Sequence, residues 1–168
     1  REGLLQAILA EHREPMERQR AAMLDVLDRE GRTGDLRAIV ATMVLPLTVE
    51  LSTPLGRAYL RILPQYIGRY SPSFSRLTRA YGPDGIRRTI AYAIACLGDL
   101  PLAEREMRVD LTMEYVTYAV ARRAREIDEG ESLRLPEERF VSLVLDLAVG
   151  GLESPMTFDS SPDRTPVD

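Results

Sequence analysis

Two residues of this sequence could act outright as nucleophile or base, His12 and Cys96, and the chain has one of each type. A Cys–His pair needs a third group to orient the base, and the sequence nominates none. A metal site built from several His or Cys side chains cannot be assembled from a single copy of each. No Glu-x-x-His pair occurs, which excludes a di-iron bundle of that design. His12 lies between Glu11 and Arg13 and reads as a solvated side chain. Glu106, Asp110 and Glu114 recur at i, i+4 and i+8 and could face a cation. Arg105 and Arg108 temper that stripe, which reads as a solvated helix face. The expectation is a protein that is no enzyme and carries neither metal nor cofactor.

Binding chemistry is better represented. Pro15, Pro46 and Pro64 fall inside helical patterns. Each removes a backbone N–H and costs about 3 kcal/mol in a regular helix. Pro46 and Pro64 are expected to break helices of the core, freeing the carbonyls of Thr42 and Leu60. Broken helices favour cavities, and cavities between helices take small ligands. The candidate lining is Met43, Leu47, Tyr59, Ile62, Leu63 and Tyr66, joined by Thr89, Tyr92 and Cys96 and closed by Met113 and Thr117. Met, Leu and Tyr with few hydroxyls suit a small, mostly apolar molecule making one or two hydrogen bonds.

The elements that must position these residues are helices. Composition is 45% apolar and 29% charged over 168 residues, enough for one core without staples. The net charge of −4 argues against nucleic-acid binding by this stretch itself. A single cysteine fits a reducing compartment, and a cytoplasmic location is expected. No run of about 18 apolar residues offers a membrane span. Period-3.6 patterning predicts a bent first helix over 2–29, ended by Gly31. Further helices are predicted over 35–51, 54–68, 84–97, 101–127 and 136–152, with a short one after Ser71-Pro72. Residues 153–168 read as a polar tail, and 1–152 as one domain. No segment alternates with period two, so the fold class is all-α.

The last two helices carry a surplus of apolar surface. One seam of the 101–127 helix is Val109, Met113, Val116, Val120, Ala124 and Ile127. A second lies beside it, through Leu111, Tyr115, Tyr118 and Ala119. Between Phe140 and Val149 only Ser142 and Asp146 are polar. A helix apolar nearly all round must be buried nearly all round. A helix followed only by a polar tail is badly placed for that within one chain. A homodimer with a four-helix bundle across a two-fold axis solves the problem. Its expected interface is Tyr115, Tyr118, Ala119, Arg122, Phe140, Leu143, Val144, Leu147 and Gly151.

The opening Arg1-Glu2-Gly3-Leu4 and the order of parts, a long first helix, a set of irregular helices and two long apolar ones, resemble the regulatory domain of TetR-family transcriptional regulators. The likeness in helix order spans 1–152, and the opening residues are the part that matches as a motif. The resemblance implies an effector-binding and dimerisation domain of a repressor, with the last two helices as the dimer interface. It also implies a helix-turn-helix head that is not within these residues, so operator DNA would be bound outside them. The alternative is a stand-alone helical dimer that binds an apolar molecule or a partner protein and never touches DNA. Residues encoded ahead of Arg1 discriminate between the two.

Overall fold

The computed structural model describes residues 2–70 and 82–155. The described elements are six α-helices and one short 3-10 turn, with no strand among them. In order they are α1 (Glu2–Arg29), α2 (Leu36–Val49), the turn η1 (Glu50–Ser52), α3 (Pro54–Tyr70), α4 (Asp84–Cys96), α5 (Leu102–Asp128) and α6 (Glu137–Glu153). The short helix expected after Ser71-Pro72 and most of the expected tail lie outside the described residues, as does the side chain of Tyr66.

Local signals set the ends. Gly31 takes a positive φ of 67°, and the N–H groups of Gly31 and Arg32 return to the carbonyls of Asp28 and Leu27. This closes the C-terminus of α1 with a residue that needs no Cβ. Gly130 does the same for α5, with Glu131 bonded back to Glu126. Asp35 caps α2 by accepting the Ala38 N–H at 3.0 Å.

α2 is the central helix, touching α1, α4, α5 and α6. Its sequence, LRAIVATMVLPLTV, is apolar on most sides, and nine of its residues are buried, among them Ile39, Val40, Met43, Val44 and Leu47. α3 packs along α5, and α6 lies against α2 and α5. The Val109, Met113, Val116, Val120 and Ala124 seam of α5 is buried as its spacing requires. Two arginines of α5 hold the two ends of α6. Arg108 donates to the carbonyls of Leu152 and Ser154, two of the acceptors a helix C-terminus leaves open. Arg123, itself buried, donates to Leu135 just before the helix and lies over the Phe140 ring.

Two expectations are corrected here. Pro46 and Pro64 do not break their helices, since α2 and α3 run through them. Asp110 does not sit on a solvated face, because it is buried and engaged, and Glu106 is engaged as well.

Candidate functional site

The face of α1 that meets the core carries Met16, Arg20, Leu24 and Leu27, spaced by four, four and three. An arginine in such a row costs several kcal/mol to desolvate unless it is fully paired. Arg20 is paired. Its Nε–H donates to the main-chain oxygen of Thr42 at 3.0 Å, and its terminal nitrogen bonds to Glu17. Thr42 lies four residues before Pro46, so its carbonyl has no helical donor. The proline is tolerated because an arginine from another helix takes the freed oxygen. Burial still pulls the Arg20 guanidinium down to about 10, against a smaller upward pull from Tyr59.

Glu17 has a second task. Its Oε2 accepts the N–H of Ile86 at 3.0 Å, in the first turn of α4. The approach is close: a Cβ on Gly85 would stand 2.8 Å from that oxygen. One carboxylate therefore ties α1 to α4 while balancing the arginine that ties α1 to α2.

One turn before Met16, His12 is held by the start of η1 and by α3. Its Nδ1 lies 2.6 Å from Glu50 Oε2, and its ring stacks on Tyr59 with centroids 5.1 Å apart. An ionised carboxylate only accepts, so the Nδ1–H donates. Nε2 is then a bare lone pair in the neutral ring and an N–H in the protonated one. It is buried without a hydrogen-bond partner among the described residues. Such a group costs about 1–3 kcal/mol, and native interiors hold few of them. Gly56 allows the arrangement, since a Cβ there would come within 2.3 Å of the Glu50 carbonyl. Burial, more than any neighbouring charge, pushes the Tyr59 phenol above the ordinary tyrosine range.

The expected ligand lining is divided by these contacts. Met43, Leu47, Tyr59, Met113 and Thr117 are buried, and Ile62 and Leu63 are half-buried on α3. Thr89 is buried and shares a 2.8 Å hydrogen bond with Thr42. Thr117 spends its hydroxyl on the Met113 carbonyl. Tyr92 bonds outward to Asp28, and the Cys96 thiol reaches the Thr33 carbonyl at 3.6 Å. The Thr89, Tyr92 and Cys96 face of α4 thus looks onto α1 and α2 rather than toward Met113 on α5. The reason is packing: α4 lies on α1 and α2, and their polar groups satisfy that face. His12 is not the solvated side chain its neighbours Glu11 and Arg13 suggest, and Arg20, Glu17 and Glu50 carry no spacing that singles them out. The usable signal was the Thr42 carbonyl freed by Pro46, which called for a donor.

The outer face of α5 and α6 is the second feature. Leu111 is 56% and Tyr118 63% exposed on α5, while Leu143 is 44% and Leu147 54% exposed on α6. Phe140, Tyr115 and Ala119 are half-buried beside them, and Arg122 and Gly151 are exposed. Open space lies where a Cβ on Gly150 or Gly151 would stand. Val144 is the exception among the expected interface residues. At 2% exposure it is turned inward with Ala148 and Leu152, so it belongs to the chain's own core. No family model, curated protein or solved structure matches this chain.

Proposed function

We propose that this chain is the effector-sensing and dimerisation part of a ligand-responsive, TetR-type transcriptional regulator acting in the cytoplasm. The observation that carries the reading is the apolar stripe of Leu111, Tyr118, Leu143 and Leu147 across the last two helices. Large apolar side chains exposed on two helices that pack against each other support an interaction surface there. A second copy of the same stripe supplies its self-complementary cover. Operator DNA is bound by a head domain outside the described residues, and the two-fold pairing sets the spacing of two such heads.

The polar cluster on α1 supports the sensing half of the reading. His12 holds a buried Nε2 that has no hydrogen-bond partner among the described residues, beside the Tyr59 ring. A small, mostly apolar effector bearing a hydroxyl can donate to or accept from that atom, so it suits either form of the ring. Arg20 and Glu17 couple the same helix to α2 and α4. Whatever the effector gains by preferring one position of α1 is the whole energy available for switching.

A thermal-shift screen of small apolar alcohols and phenols tests the proposal. A binder at one hundred times its Kd adds about 2.7 kcal/mol of apparent stability. The shift is expected in the wild type, is lost in His12→Phe and is kept in Leu143→Glu. A screen with no hit, or hits indifferent to His12→Phe, contradicts the effector site.

A further inference from the structure

His12 Nε2 is buried without a hydrogen-bond partner among the described residues, and Glu50 decides which half of a hydrogen bond it can make. We propose that this site selects effectors that donate, taking small phenols rather than ethers, ketones or esters. The inference rests on the effector reading of His12.

The argument starts at the other ring nitrogen. Glu50 Oε2 lies 2.6 Å from Nδ1, and both side chains are only 12% exposed. An ionised carboxylate has no proton to give. A neutral ring therefore keeps its proton on Nδ1, and Nε2 is left as an acceptor. The carboxylate is itself held in place. Gly56 leaves room for it, since a Cβ there would stand 2.6 Å from Glu50 Oε2 and 2.9 Å from Thr53 Oγ1. Thr53 Oγ1 in turn accepts the Gly56 N–H at 3.0 Å. The tautomer is thus set by the fold before any ligand arrives. An ether or carbonyl oxygen brought to Nε2 would face it with a second lone pair and leave both unsatisfied. A hydroxyl satisfies it.

Two features narrow the donor to a phenol. Arg13, Arg20 and Glu50 all act on the adjoining Tyr59, two guanidiniums against one carboxylate, so an ammonium donor is disfavoured. The Tyr59 ring stacks on the imidazole at 5.1 Å and 24°, which puts an aromatic wall beside the acceptor. Aromatic rings favour such a wall through edge and offset contacts. A phenol brings the ring and an O–H in one small molecule.

The test reads the ring nitrogens directly. The chain has one histidine, so its two nitrogen resonances in labelled protein belong to His12. At a pH where they show a neutral ring, the free protein should carry its proton on Nδ1. Adding 4-ethylphenol should move the Nε2 resonance far more than that of Nδ1. It should bind about tenfold more tightly than 4-ethylanisole, which keeps the ring and oxygen but cannot donate. Glu50→Gln has an amide that can donate to Nδ1, which releases the tautomer, so the two affinities should converge. The wild-type comparison decides the matter even where that variant does not fold. A free ring with its proton on Nε2 overturns the donor rule, as do equal affinities in the wild type. The effector reading survives those results when His12→Phe abolishes both bindings. A phenol preference unchanged in a folded Glu50→Gln overturns the role given to Glu50. No binding by either compound, or binding that moves neither nitrogen, overturns the rule and the effector reading together.

Discussion

Arg20 and Thr42 are joined by a 3.0 Å hydrogen bond from the guanidinium Nε–H to the carbonyl that Pro46 deprives of its helical donor. The bond explains how the central helix carries a proline without breaking, and why α1 holds a buried cation. It also couples two residues whose substitutions would otherwise be independent.

That coupling is measurable by urea denaturation. Arg20→Met strands both the Thr42 carbonyl and the Glu17 carboxylate, and should destabilise the fold by about 3 kcal/mol. Pro46→Ala restores the helical N–H. In that background the same Arg20 substitution should cost about 1 kcal/mol less, the scale of coupling between groups in one network. Additive effects would show that Arg20 does not serve the freed carbonyl.

Asp35 gives a prediction with a defined pH sense. The Ala38 N–H, and after it the Arg32 side chain, hold its carboxyl below the ordinary carboxylate range. A depressed folded pKa means stability that is present above the unfolded value, near 3.8, and is lost as pH falls through the folded one. Asp35→Ala should cost about 1 kcal/mol at pH 7. Asp35→Asn should keep most of the cap and flatten the acid limb of the stability curve below about pH 4.

Tyr59 titrates in the opposite sense. Its phenol is raised by burial, so the folded state holds a proton that the unfolded chain releases near its ordinary value of 10.0. Its contribution is complete below that value and falls as pH rises through it. Absorbance at the tyrosinate band should show a fraction that ionises only as the helical signal is lost. Tyr59→Phe should remove that fraction.

Much of the fold was legible because its signals are local. Gly31, Asp35 and the proline-led starts at Pro101 and Pro136 mark helix ends within a few residues of the chain. Spacing alone separated the buried Val109 to Ala124 seam from the Leu111 and Tyr118 stripe. The site was less legible because its partners are distant in sequence. His12 beside Glu11 and Arg13 looks solvated, yet its hydrogen-bond partner is Glu50 and its stacking partner Tyr59. The polar face of α4 was assigned to a cavity because no periodicity tells which neighbour a helix lies on. Asp110 and Val144 fail for the same reason: a side chain one step around a helix from a seam can turn inward or outward.

The proposed dimer requires a second copy of the chain to cover the α5–α6 stripe. Sedimentation equilibrium at micromolar concentration tests it most directly. The wild type should run as a dimer. Leu143→Glu/Leu147→Glu should weaken association by about 100-fold, the loss of roughly 3 kcal/mol of apolar burial, and retain the helical circular-dichroism spectrum. A wild type that runs as a monomer, or a dimer unchanged in the double variant, would contradict the account.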